Sequence, residues 1–362
     1  MRPPNLSLFT RREVTVTGPP RSSSILPPVS RTAGKSQPGP SVERPRETGS
    51  RALTVTAKTA GVRLDRFLAD AFPDRSRSSL TKLIKEGSVT LDGDPVRPST
   101  EVAAGSAVEV HFPAEEEPEL AAEEIPLTVV HEDGDLIVID KPAGLVVHPG
   151  AGNERGTLVN ALLARGGSLS TVGGPKRLGI VHRLDAGTSG LMIVAKNDRA
   201  HHALAAQFKG REVTKIYQAL VWGRTREESG TIKSAIGRDR VNRLKMSTRT
   251  RRGLAAVSHW KVVAAWPGFS LLAVRIETGR THQIRVHLQS IGHPVVGDSR
   301  YGGAGWHGVQ DPARRRVLKA LTHPALHSWR LSFAHPTGGK KMTFEAPIPG
   351  DLRDLIEILR SD

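Results

Sequence analysis

The 362-residue chain contains no cysteine. That excludes a disulfide framework, a thiol nucleophile and any Cys-ligated zinc or iron–sulfur centre. No apolar run approaches the roughly 20 residues needed to cross a bilayer, so no membrane segment is expected. Aromatic residues make up only 4%, and tyrosine occurs twice, as Tyr217 and Tyr301. Acidic residues are also short: 36 Asp+Glu face 52 Lys+Arg, a formal net charge of +16. Such a surplus suits a polyanionic partner, most economically nucleic acid, although an arginine-rich proteome leaves the same imprint. The length allows two or three domains.

Residues 1–50 hold nine Pro and eight Ser, with eight Lys/Arg against three Glu. This segment cannot bury enough apolar surface to offset its ordering entropy and is expected to be a disordered basic tail. Arg2, Arg11 and Arg12 give it the look of a transit peptide, but nine prolines suit an amphipathic helix poorly. A start codon placed too far upstream would give the same segment. Order is expected to begin near Leu53.

Leu64, Phe67, Leu68, Ala71 and Phe72 share one helical face, and Pro73 ends that helix. Ser76 or Ser78 can cap a second helix carrying Leu80, Leu83 and Ile84, with Gly87 stopping it. Val89–Leu91 then enters a tight turn at Asp92-Gly93, and Val108, Val110 and Phe112 alternate as a closing strand. Residues 51–113 therefore read as a small α+β module. Glu115, Glu116, Glu117, Glu119, Glu123 and Glu124 mark residues 114–126 as an acidic, solvated linker. Residues 127–362 carry the rest of the fold. Strands are expected at Leu136–Ile139, Gly190–Ala195, Ile216–Val221 and Phe269–Ile276, and helices at Thr157–Ala164 and Gln283–Ser290. The helices do not alternate strictly with the strands, so antiparallel connections are expected over a βαβ series.

Three segments carry chemistry-bearing side chains. Gly179-Ile180-Val181-His182-Arg183-Leu184-Asp185-Ala186-Gly187-Thr188-Ser189-Gly190 presents His182, Arg183 and Asp185 from a loop whose Gly187 and Gly190 allow close approach to a ligand. Alone, Asp185 is most simply a turn cap, and Ser189 lacks a nucleophile elbow. In Gly279-Arg280-Thr281-His282-Gln283-Ile284-Arg285-Val286-His287, a helix from Thr281 would place His282 and Arg285 on one face. The spacing of His282 and His287 is poor for a metal, and His323 and His327, separated by Pro324, read as structural or surface residues. Tyr217, in Lys215-Ile216-Tyr217-Gln218-Ala219-Leu220-Val221, is by default a packed aromatic.

Together and in this order, the three segments resemble the RluA family of pseudouridine synthases. Asp140-Lys141-Pro142-Ala143-Gly144-Leu145-Val146-Val147-His148-Pro149-Gly150, His293-Pro294-Val295-Val296-Gly297-Asp298 and Leu326-His327-Ser328-Trp329-Arg330 agree with it. The likeness runs from about Leu53 to the C-terminus. The first module looks like an S4 RNA-binding domain, as in the RluD-like branch, with Arg63, Arg66, Arg75, Arg77, Lys82 and Lys85 where that fold contacts RNA. Helix–turn–helix DNA binding would be the alternative, but the following hairpin favours S4. Leu178 and Ala235 stand where the family usually has proline, away from the chemistry.

The resemblance implies an S4 module followed by a catalytic domain with a mixed, mainly antiparallel sheet flanked by helices and loops. It implies isomerisation of uridine to pseudouridine, most readily in large-subunit (23S) ribosomal RNA, by a cytoplasmic, monomeric enzyme without metal or cofactor. Asp185 would be the essential carboxylate, either attacking C1′ or removing the 2′ proton, with Arg285 as its cationic partner. Tyr217 would pack on the flipped base and assist loss of the C5 proton. Arg183 would fill the gap left by the flipped nucleotide or hold its phosphate, Ile284 would form the apolar floor, and His182 and Arg280 would be further RNA contacts. A non-catalytic RNA-binding protein would not require Asp185, Tyr217 and Arg285 together. A glycosidase would want a second carboxylate beside Asp185. Lys209–Arg252, with thirteen Lys/Arg against four Asp/Glu, is expected to flank the RNA cleft.

Overall fold

A computed structural model describes residues 49–113, 120–150, 152–242, 244–250, 252–303 and 305–360. Almost all of the basic tail and the first part of the acidic linker therefore lie outside the described residues. The chain divides into two compact units that part near Glu119.

The first unit comprises β1 (Gly49–Thr54), α1 (Leu64–Ala71), α2 (Arg77–Lys85), β2 (Val89–Leu91), β3 (Asp94–Pro95) and β4 (Ala107–Phe112). The first described strand already includes residues before Leu53: Gly49 and Ser50 pair with Phe112 and His111 of β4. Ser76, one of the two candidate caps, accepts the Ser79 N–H at 3.2 Å and opens α2. Asp92 and Gly93 both adopt positive φ, 54° and 89°, as a two-residue hairpin turn requires. Leu64, Leu68, Leu80, Ile84, Val108 and Val110 fill the core.

The second unit contains β5 (Thr128–Glu132), β6 (Leu136–Lys141), α3 (Leu158–Arg165), β7 (Ser189–Ala195), α4 (Asp198–Gly210), β8 (Thr214–Trp222) and β9 (Ser229–Lys233). It continues with β10 (Gly237–Arg238), β11 (Met246–Ser247), β12 (Val257–Trp266), β13 (Phe269–Ile276), α5 (Gln283–Ser290) and α6 (Pro312–Ala320). β14 (Leu326–Ala334), β15 (Lys341–Glu345) and α7 (Gly350–Arg360) complete it. The main sheet runs β5-β6-β7-β14-β8-β13-β12-β9, with β15 also on β14. Every pairing in it is antiparallel except β14 on β7. The mixed, mainly antiparallel sheet read from the sequence is thus present.

Central strands β7 and β13 are buried on both faces, which explains their continuous apolar sequences. Residues 120–126 are not a free spacer. Asn160 donates to Ala121 O at 2.7 Å, Glu123 accepts the Gly156 N–H at 3.1 Å, and Ile125 packs on the core. Glutamate content suggested solvent, but the capping end of α3 offers these donors. Among the described residues no helix is long and apolar enough to cross a membrane.

Candidate active site

Asp185 reaches the site on the loop that feeds β7. A Cβ at Gly190 (φ 107°) would collide with the Ser328 backbone of β14, and one at Gly187 would lie 2.8 Å from Pro324. These glycines serve close approach of chain to chain, not approach to a ligand as their sequence context suggested. From the other side, the fully buried Lys141 donates to Pro142 O, Leu145 O and Ala186 O at 2.8, 2.9 and 3.0 Å. Burial pushes Lys141 down to about 7, opposed by the nearby Asp185 and Asp140 carboxylates. Three carbonyl acceptors use all three protons of an ammonium, and they lock the residue after Asp185 in place.

Tyr217 stands in β8 opposite Val274 of β13 and Ser328 of β14. Its phenol is held well above its ordinary pKa by burial and by Asp185. Arg285, one turn into α5, donates Nη1 to Asp185 Oδ2 at 3.0 Å. Its Nε and Nη2 bind Asp298 Oδ2 and Oδ1 at 2.6 and 2.9 Å. Burial alone would lower Arg285, yet Asp298 and then Asp185 more than offset it and raise it. The expected Asp185–Arg285 pair is present.

The helix starts at Gln283, not Thr281. His282 occupies the cap position in the left-handed region (φ 56°, ψ 23°), so it does not share a helical face with Arg285. The turn still brings its Nε2 to 3.9 Å from Asp185 Oδ2. Burial lowers the His282 pKa, with Asp185 opposing the shift.

These groups line a pit of about 90 Å³ whose walls include Asp185, Tyr217, Ile284, Arg285, Ile276 and Leu326. It opens beside a groove of about 470 Å³ edged by Arg183, Lys209, Arg211, Lys215 and Arg280. Tyr217, Arg183 and Arg280 border both. Ile284 forms part of the pit wall, and Arg183 is exposed near His148. Of the cations in the basic stretch Lys209–Arg252, those lining this groove among the described residues are Lys209, Arg211 and Lys215. His182 also borders it, but its Nε2 accepts the Ile193 N–H at 2.9 Å and its ring stacks on Phe208. Burial, then Lys215, holds it down to about 3. It is an uncharged pin for the loop, not a cation for phosphate.

In the first unit, Arg63, Arg66, Arg77, Lys82 and Lys85 are all exposed. Arg63 and Arg77 both pair with the buried Asp65, at 3.1 and 2.8 Å. Arg75 instead stacks over Phe112 at 4.0 Å. His327 is buried against Ser189, and His323 pairs with Asp351. Sequence reasoning assigned no role to Asp298, Tyr301 or Lys141. A charged residue one glycine after the apolar Val295-Val296 was the available signal for Asp298.

Residues 135–290 match the family model described as RNA pseudouridylate synthase, and residues 62–108 match the S4 domain. The chain is 45% identical over 316 residues to ribosomal large subunit pseudouridine synthase D of Neisseria meningitidis serogroup A, covering 87% of this chain and 83% of that one. With the protein of the same name from Pseudomonas aeruginosa it shares 44% over 313 residues, covering 86% and 96%. An uncharacterised RNA pseudouridine synthase of Bacillus subtilis is 41% identical over 310 residues, covering 86% and 98%. Among solved structures, human RNA pseudouridylate synthase domain containing 4 is similar in fold: TM-score 0.50, 24% identity, 64% of this chain and 93% of that one.

Proposed function

The chain belongs to the RNA pseudouridine synthases, and from that premise we propose that it acts on large-subunit ribosomal RNA with Asp185 as the essential carboxylate. The relatives named for the large ribosomal subunit support the substrate, and the S4 match supports an RNA-docking module. The observation that carries the catalytic assignment is the Asp185–Arg285 contact of 3.0 Å at the wall of the pit. Asp185 is the one carboxylate among the residues lining it. A glycosidase-like pair of carboxylates is therefore not assembled there among the described residues.

The reaction breaks C1′–N1, forms C1′–C5, releases the C5 proton and returns a proton to N1. The target uridine must leave the helical stack first, at a cost of a few kcal/mol. In this reading the groove cations meet the flanking phosphates and the pit takes the base. Arg285 holds the Asp185 carboxylate by a charge-assisted hydrogen bond, an arrangement that serves attack on C1′ and abstraction of the 2′ proton equally well. Tyr217, a neutral phenol on a rigid central strand, offers a flat face to the base.

Tritium release from C5-labelled uridine in ribosomal RNA tests the assignment. Asp185→Asn should abolish release while RNA binding persists; full activity in that variant would overturn the role of Asp185. Pseudouridine mapping in ribosomal RNA from a strain lacking the gene tests the substrate. An unchanged large-subunit map would remove that part.

A further inference from the structure

His282 breaks two local rules. A non-glycine residue rarely takes φ 56°, and a helix cap is normally a short oxygen-bearing side chain that accepts a backbone N–H. His282 does neither job of an ordinary cap: it makes no capping bond to α5. Local strain of this kind persists when surrounding contacts fix it, and here those contacts are visible.

The His282 ring is held by Tyr301. Tyr301 Oη lies 2.8 Å from His282 Nδ1 and accepts the Met246 N–H at 2.8 Å. Tyr301 is buried with Ile236, Ala256 and Val286, and its ring lies under the Arg285 guanidinium at 5.0 Å. Its own backbone N–H donates to Asp298 at 3.1 Å, so it is anchored to the carboxylate that grips Arg285.

The proton directions follow from donor chemistry. A backbone N–H can only donate, so the Tyr301 oxygen accepts from Met246; among the described residues the other hydrogen-bond partner of this hydroxyl is His282 Nδ1, so the phenol proton is satisfied only by donation to that nitrogen. His282 Nδ1 is then an acceptor, and in the neutral ring the remaining proton sits on Nε2. Nε2 is the atom that faces Asp185, and at 3.9 Å it is too far for a direct hydrogen bond.

Resting on the assignment of Asp185, we propose that Tyr301 is a positioning residue that fixes His282 as the Nε2–H tautomer and aims that donor into the pit. His282 thereby offers a hydrogen-bond donor to Asp185 or to the bound nucleotide without adding a positive charge. Met246 belongs to the short β10–β11 hairpin, and Arg300 Nη1 also bonds Leu244 O in it at 3.0 Å. The orientation of His282 is therefore tied to the seating of this hairpin.

The test uses Tyr301→Phe, which keeps the ring over Arg285 and removes only the hydroxyl. Histidine ¹⁵N shifts in the full-length protein, with His282→Asn identifying the signal, should show the Nε2–H form in the parent. A growing Nδ1–H population is expected in Tyr301→Phe. With saturating ribosomal RNA, kcat should fall about tenfold while KM changes less than twofold, as expected for lost orientation rather than lost binding. His282→Asn, which tolerates the left-handed backbone, should produce a similar fall, and the double variant should be no slower than the slower single one. An unchanged tautomer, an effect confined to KM, or multiplicative effects in the double variant would overturn the proposal. The tautomer measurement needs no turnover, so it stands apart from failure of the Asp185 assignment. If Tyr301→Phe fails to fold, His282→Asn and the parent spectrum decide it.

Discussion

Asp298 grips Arg285 through two parallel bonds, Nε to Oδ2 at 2.6 Å and Nη2 to Oδ1 at 2.9 Å, and leaves Nη1 free to meet Asp185. The Asp298 side chain is fully buried. The fork geometry fixes the plane of the guanidinium, so the direction of its third contact is set from behind.

Asp298→Asn should therefore damage catalysis without touching substrate. The amide cannot accept from both nitrogens, and Arg285 is left buried and poorly paired. Removing one member of such a pair costs ~3 kcal/mol of stability, measurable by urea unfolding. Tritium release should drop by about one to two orders of magnitude, with RNA affinity nearly unchanged. Arg285→Lys keeps the charge but loses the fork, and should be impaired to a similar degree. A fall in affinity alone would make Arg285 a phosphate-binding residue.

Much of this site was legible as sequence because its residues sit in short, dense segments. Asp185, Tyr217 and Arg285 each stood in a patterned context; β13 has the predicted bounds Phe269–Ile276, and α5 has those of the Gln283–Ser290 reading but not the start at Thr281 that would have put His282 on the helix. What the sequence hid were partnerships made across the chain. Asp298 and Tyr301 meet Arg285 and His282 only because the loop after β13 and the segment beyond α5 fold together. No periodicity reports that. The left-handed turn at His282 was also invisible, since nothing in Arg280-Thr281-His282 signals a positive φ as a glycine would. The last part of the acidic linker misled for a related reason: composition describes exposure on average, whereas Glu123 answers a particular donor at Gly156.

The two tyrosines make a second prediction simple to read. Burial and then Asp185 raise Tyr217, and burial raises Tyr301 despite the opposing Met246 N–H and Arg285. The chain has no others. Titration followed at 295 nm should show ionisation displaced above pH 10, where free tyrosine ionises, and further for Tyr217 than for Tyr301. In Tyr301→Phe, where Tyr217 is the single tyrosine, the phenolate should appear only at still higher pH. Ionisation near pH 10 in folded Tyr301→Phe would mean that Tyr217 can reach the phenolate form and act as a base.

A third prediction concerns the RNA-docking unit. Asp65 takes Arg63 and Arg77 together, and the Arg63 bond, joined by Arg77 and opposed by burial, holds its pKa down to about 2. A depressed carboxylate stabilises the fold above its ordinary pKa near 4 and loses that contribution as pH falls toward 2. Asp65→Asn should lower the stability of this unit by ~1–2 kcal/mol at neutral pH, after allowing for the exposed arginines. It should also free both arginines and alter the salt dependence of RNA binding. Limited proteolysis and binding at two salt concentrations would check both effects; an unchanged cleavage rate would make the cluster a surface ornament of the fold.

Asp133 supplies the fourth. Its Oδ2 faces His131 Nε2 at 2.9 Å and His335 Nε2 at 3.1 Å, while Oδ1 accepts the N–H groups of Asp135 and Leu136. Burial acts to raise Asp133, but the His131 contact, the two backbone donors and His335 outweigh it and hold it down to about 2. His335 moves the other way: burial lowers it, yet Thr337 O and Asp133 raise it overall. The two shifts bound the stabilisation on opposite sides. The Asp133 contribution is present above about pH 4 and lost toward pH 2, whereas that of His335 is complete below about pH 6.5 and fades as pH rises through its raised value. Maximal benefit from this tie between the β5–β6 and β14–β15 turns therefore falls near pH 5. Asp133→Asn keeps the Oδ1 acceptor for the backbone but turns an amide toward two histidines. It should cost ~1–2 kcal/mol near pH 5 in urea melts and return the His335 pKa to the ordinary imidazole range in an NMR titration. If the parent and Asp133→Asn profiles ran parallel from pH 3 to 8, the tie would carry no pH-dependent stability.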